Sequence, residues 1–125
     1  MKKFFLILLL GFSSIIGQST KIVFTSNISI NDKLSTAKLD SLVAELNRTD
    51  ISLAVITGNL TAKGTTVQFE LLKQSLDKLS KPYMLLPFEY DLKEFEGWNK
   101  FYEYWNDGKF LFDDGKNIFI GISPT

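Results

Sequence analysis

Ile51-Ser-Leu-Ala-Val-Ile-Thr-Gly58 decides how this chain folds. It is a short, almost continuous apolar run closed by a glycine, the pattern of a strand buried on both faces. Such strands belong to parallel sheets, and parallel neighbours require helical crossovers. The flanking sequence supplies them. Upstream, Ser35 to Thr49 carries Leu39, Leu42, Val43 and Leu46 at i, i+3, i+4 and i+7, the stripe of an amphipathic helix. Downstream, Thr65 to Leu79 carries Phe69, Leu72, Leu76 and Leu79, with Thr65 and Gln68 at capping-box spacing. Further out, Lys21 to Ser26 and Pro82 to Leu86 are two more apolar strands. The centre of the chain is therefore β-α-β-α-β.

Two elements follow. Phe95 to Trp105 has helical spacing, with Trp98, Phe101, Tyr102 and Trp105 on one side. Phe110 to Phe112 and Asn117 to Ile122 flank Asp113-Asp114-Gly115-Lys116, an Asp-Gly hairpin signal. The expected fold class is α/β: a mostly parallel βαβαβ sheet with flanking helices and a C-terminal β-hairpin. The aromatic helix is expected to pack on the hairpin's Phe110 and Phe112. Tyr104 falls off its stripe, so Tyr104, with Trp105, is the candidate for an exposed interaction surface.

The 125 residues include no histidine and no cysteine. Thiolate nucleophiles, disulfides, Ser-His-Asp triads and Cys- or His-ligated metals are excluded. Any cation would rest on carboxylates, carbonyls and water, which favours Mg²⁺ or Ca²⁺. With 14 basic and 14 acidic side chains the net charge is zero, and nothing argues for nucleic acid.

Residues 1–17 have the order of a secretory signal peptide. Lys2 and Lys3 open it, Phe4 to Ile16 is the apolar region, and Gly17 is the small residue before polar Gln18-Ser19-Thr20. The apolar run is shorter than the roughly 20 residues of a spanning helix. The expectation is export to the periplasm, cell surface or medium, with no stable membrane span after cleavage. The domain is then 18–125, with 12 basic against 14 acidic groups and a formal charge of −2.

In an open parallel sheet, ligands bind where the loops leave the strands' carboxyl ends. The three runs there are Ile22-Val-Phe-Thr-Ser-Asn-Ile-Ser-Ile30, Ala54-Val-Ile-Thr-Gly-Asn-Leu-Thr-Ala-Lys-Gly64 and Lys81-Pro-Tyr-Met-Leu-Leu-Pro-Phe-Glu-Tyr-Asp91. In order and spacing they resemble the first three motifs of calcineurin-like metallophosphoesterases: Asp-x-His, Gly-Asp and Gly-Asn-His-Asp/Glu, each after a strand. The resemblance covers residues 21–123. It implies a site for two divalent metals, and it also implies which side chains have changed. The Asp and His of the first motif fall at Asn27 and Ser29. The bridging Asp of the second falls at Asn59. The Gly, Asn and His of the third fall at Phe88, Glu89 and Tyr90, and only the trailing acid remains, as Asp91.

Those changes remove the donors that such chemistry needs. Two cations about 3.5–4 Å apart require anionic and imidazole ligands. An amide offers one neutral oxygen where a carboxylate offers two and a charge. A tyrosine hydroxyl, titrating near 10, is a poor replacement for imidazolium. No cofactor is expected, and Glu89 with Asp91 is the remaining candidate for a weak cation site. The family continues into a second half, whereas this sequence ends at Thr125, so the domain is expected to be truncated at its C-terminus. Three functional readings follow. One is a pseudoenzyme or interaction module whose partner is another protein or its own missing C-terminal half. Another is the front of a longer phosphate mono- or diester hydrolase with residual or non-standard activity. The third is a non-functional gene fragment.

Other motifs are blander. Asn27, Asn47 and Asn59 each begin an Asn-x-Ser/Thr triplet, a pattern with a high chance frequency. Asp113-Asp114-Gly115-Lys116 lacks the full calcium-loop pattern and reads as a solvated turn.

Overall fold

The computed structural model describes residues 19–105 and 108–123. Residues 1–17, which carry the signal-peptide expectation, lie outside that description. Among the described residues no helix is long and apolar enough to cross a membrane.

The apolar runs form the strands β1 (Ile22–Ser26), β2 (Leu53–Thr57) and β3 (Tyr83–Leu86), parallel and in the order β1-β2-β3. The crossovers are helix α1 (Lys33–Arg48) and helix α2 (Thr66–Leu76). Strands laid down in sequence order by right-handed crossovers put both helices on one face, and α1 does pack beside α2. The register aligns Val23, Ala54 and Tyr83 in one row and Thr25, Ile56 and Leu85 in the next. Ala54, Ile56 and Leu85 join Leu39, Val43, Leu46, Phe69, Leu72 and Leu76 in one buried core, with Val23 and Tyr83 packed against it. Leu42 of the anticipated stripe is only half-buried.

Helix boundaries are set by caps. Asp32 precedes α1, accepting a hydrogen bond from Ser35 N at 2.9 Å, while Asp32 N donates to Ser35 Oγ at 3.0 Å. This capping box starts the helix two residues before Ser35. Thr65 caps α2 by accepting from Gln68 N. The Gln68 side chain does not complete the box. Its Oε1 accepts from Lys63 N at 2.9 Å, and its Nε2 donates to Asn31 Oδ1 at 3.2 Å, joining the loops in front of the two helices. α2 ends at Leu76, and Leu79 is buried beyond it.

After β3 comes a single 3-10 turn, Glu89–Leu92, then helix α3 (Phe95–Trp105). α3 extends the helical layer by packing on α2: Phe69 meets Phe101 edge-on at 5.8 Å and Trp105 at 6.4 Å. This corrects the expectation that α3 lies on the hairpin aromatics. Close approach is possible because α3 presents Gly97 to the loop before α2. A Cβ at Gly97 would stand 1.5 Å from the Gly64 carbonyl oxygen.

The hairpin is β4 (Lys109–Asp113) and β5 (Ile118–Ile122), antiparallel, a separate two-stranded sheet. Asp113 Oδ1 accepts from Gly115 N at 2.7 Å, and Asp114 Oδ1 accepts from Lys116 N and Asn117 N at 2.8 and 2.7 Å. Both acids of the turn are thus engaged by its own backbone. Ser123 Oγ donates to the Pro87 carbonyl at 2.7 Å, tying the end of β5 to the end of β3. The fold class agrees with the sequence reading.

Candidate functional site

The loops after β1, β2 and β3 converge because the parallel register continues past the strand ends. Asn27 N donates to Thr57 O at 3.1 Å, Ser29 N to Asn59 O at 2.9 Å and Ile30 N to Leu60 O at 2.9 Å. Ala62 N returns a bond to Ile30 O at 2.9 Å. This backbone seam bends the first loop sharply. Asn27 has φ 62° and Ser29 has φ 48°, both left-handed. Asparagine tolerates that region; serine there is strained, and such strain persists only where neighbours over-determine it. Gly58, φ 78°, supplies the matching turn in the second loop without penalty.

The seam brings together three side chains singled out in the sequence. Ser29, Asn59 and Tyr90 line one cleft of about 270 Å³ with Thr61 and Ala62. Asn27 joins it through Asn59, whose Nδ2 donates to Asn27 Oδ1 at 3.0 Å. Asn59 Oδ1 is a buried acceptor with no hydrogen-bond partner among the described residues. Tyr90 is half-exposed, and the Lys93 ammonium lies 3.7 Å from its ring centroid. Glu89 is exposed at the start of the 3-10 turn, outside the residues that line this cleft.

Asp91 sits differently from the cleft residues. It is fully buried, and both carboxylate oxygens are engaged. Oδ1 accepts from Thr61 N at 2.7 Å and Thr61 Oγ1 at 2.8 Å; Oδ2 accepts from Leu60 N at 3.1 Å and Phe88 N at 2.9 Å. A carboxylate has about four lone-pair sites, and four donors take them. Burial pushes the Asp91 carboxyl above its ordinary value, against the pull of those donors toward the anion. Its geometry is that of a clamp between the second and third loops rather than of an open ligand.

Would this site suit two divalent metals? The side chains at the convergence are two amides, a serine and a phenol, all neutral. The acid beside them, Asp91, is saturated by three backbone amides and the Thr61 hydroxyl. Among the described residues, no group of three or more Asp, Glu, His or Cys is placed to hold a metal. The donor set does not fit a two-cation centre.

No family model matches this chain, and no curated protein matches its sequence.

The aromatic expectation for α3 needs correction. Tyr104 and Trp105 are half-buried. The Trp105 indole N–H donates to Tyr83 Oη at 3.1 Å, and its ring packs on Phe69 and Phe101. Tyr104 lies edge-on against Trp105, with the Lys73 and Lys100 ammoniums 5.7 and 5.1 Å from its ring. The exposed aromatics are Phe95 and Tyr102, which with Leu92, Lys93 and Trp98 line a separate cleft of about 490 Å³. Asn47 has a structural use: Oδ1 accepts from Ser80 N at 2.8 Å, and Nδ2 donates to Lys78 O at 2.9 Å.

The sequence reading missed the role of Thr61, and it gave Gln68 to the cap of α2 and not to the bridge between Lys63 and Asn31. Thr61 is fully buried, binds Asp91 and accepts from Gly64 N at 3.0 Å. No local pattern marks a threonine whose partner lies 30 residues away.

Proposed function

We propose that this chain is an exported metallophosphoesterase-like domain that works by binding and not by metal-dependent hydrolysis, a pseudoenzyme or interaction module. Export rests on the order of residues 1–17, and the family likeness rests on three strand-end motifs in register. The observation that carries the loss of chemistry is the Asn59–Asn27 bond at 3.0 Å. Where the resemblance calls for carboxylates held apart by cations, one neutral amide donates directly to another. Two aspartates at that separation would repel without a metal between them; two amides need none.

The test is metal content and turnover together. Purified chain is dialysed against Mn²⁺, Fe²⁺ or Zn²⁺, then assayed for bound metal and for hydrolysis of bis-nitrophenyl phosphate. The expected result is no stoichiometric metal and no turnover above the buffer rate. Two tightly held ions, with turnover abolished by a chelator, would refute the reading.

A further inference from the structure

Leu42 is the one member of the α1 stripe left half-buried, and it lines a further cleft, between the loop after β1 and α1. At about 400 Å³ the cleft falls in the roughly 300–1,000 Å³ range of small-ligand sites. Ile28, Leu39 and Leu42 make its apolar lining, and Lys38 and three polar residues of the β1 loop its polar one. Ser35 lines it too, but its hydroxyl is used up in the capping box. It donates to the Asp32 carbonyl and accepts from Asn31 N and Asp32 N.

The polar groups left over can all donate. Asn59 donates to Asn27 Oδ1, so the acceptor end of the Asn27 amide is occupied, and its Nδ2 has no partner among the described residues. The hydroxyls of Ser26 and Ser29 and the exposed ammonium of Lys38 have no partner among them either. No acid lines the cleft among the described residues. Asn27 and Ser29 both hold left-handed backbone, and strain of that kind collects at ligand sites.

We infer that this cleft binds a small organic monocarboxylate with a short aliphatic body. The carboxylate meets Lys38 and the amide and hydroxyl donors, and the body lies against Ile28, Leu39 and Leu42. Charge decides the head group. One ammonium balances one carboxylate, whereas a phosphate monoester carries about −1.5 to −2 and would stay partly unbalanced beside a single cation. The roughly four lone-pair sites of a carboxylate also match one ammonium, one amide and two hydroxyls. The site gives the binding role proposed above a ligand class and rests on that reading. Metal content and turnover are measured without any carboxylate, so either reading can fail alone.

The experiment is isothermal titration calorimetry of the full chain with hexanoate, and with acetate, hexanol and hexyl phosphate for comparison. Hexanoate is expected to saturate at one per chain, with each comparison compound at least about tenfold weaker. Lys38→Gln should weaken hexanoate about tenfold and bring it level with hexanol, with unchanged far-ultraviolet circular dichroism. Lys33→Gln, at an exposed lysine of the same helix outside the cleft lining, should leave hexanoate binding unchanged. Absence of saturable hexanoate binding overturns the inference. So does binding that Lys38→Gln leaves intact or that Lys33→Gln weakens equally. Hexanol or hexyl phosphate bound as tightly as hexanoate overturns it too.

Discussion

Replacing Asp91 should cost this domain several kcal/mol of stability without touching any apolar contact. In Asp91→Ala, four donors lose their acceptor: the amides of Leu60, Thr61 and Phe88 and the Thr61 hydroxyl. The hydroxyl can turn to a neighbour; the three amides are fixed by backbone. At about 1–2 kcal/mol for each of these three buried amides left unpaired, the loss is about 3–6 kcal/mol. Asp91→Asn keeps the shape and one acceptor oxygen. Its amide nitrogen must then face two N–H donors, so about 2–4 kcal/mol is lost. Domains of this size have only about 5–15 kcal/mol in total. The measurement is urea unfolding of wild type and both variants, followed by tryptophan fluorescence. Hydrogen exchange should show the amides of Leu60, Thr61 and Phe88 opening faster in Asp91→Asn. A loss below about 1 kcal/mol in Asp91→Ala would refute the clamp. So would a wild-type midpoint raised by Ca²⁺ or Mg²⁺ and unmoved in Asp91→Asn, since that behaviour belongs to a cation ligand.

Burial holds the folded-state carboxyl of Asp91 above its ordinary value of 3.8. The folded chain therefore binds a proton that the unfolded chain has released, and the contribution of Asp91 falls as pH rises from that ordinary value through the raised one. The stability difference between wild type and Asp91→Asn, measured by urea unfolding from about pH 3 to about pH 7, should shrink with pH; a difference that grows refutes the assignment. Gly97→Ala should destabilise by about 1–3 kcal/mol or more, since its methyl would overlap the Gly64 carbonyl. A thermal midpoint within error of wild type would show that α3 can shift aside. Asp32→Ala should cost about 1 kcal/mol through the lost cap of α1, read in the same unfolding assay, and a neutral result would mean that Ser35 alone fixes the helix start.

Elements with a strong period were legible in the sequence. The strand at 53–57, the stripe of α1 and the Asp-Gly turn each signal themselves within a few residues, because periodicity and turn chemistry are local. Helix starts were less visible. Asp32 and Ser35 form a capping box without the usual Glu or Gln, so α1 begins before the stripe suggests. What could not be read was pairing across the fold. Asp91 invites interpretation as a cation ligand because it is the trailing acid of the third motif with Glu89 two residues before it, while its partners include amides about 30 residues upstream. Tyr104 was expected to be exposed because it lies off an aromatic stripe, yet the lysines of two helices close over it. The convergence of Ser29, Asn59 and Tyr90 was legible only through the parallel topology, which brings strand-end loops together whatever side chains they carry.

The Gly64–Gly97 contact has an evolutionary consequence. Main chain meets main chain there, with no room for a Cβ, so the height at which α3 crosses the loop is gauged by backbone and not by the identity of its aromatics. Phe95 and Tyr102, at the exposed side of that helix, can then change with little effect on its placement. Related chains would be free to diversify this aromatic surface toward different partners while both glycines stay locked together. A substitution at Gly97 would need compensation by movement of the whole helix, whereas a Cβ at Gly64 would stand 2.6 Å from the Asp91 carbonyl oxygen and 2.9 Å from that of Tyr90.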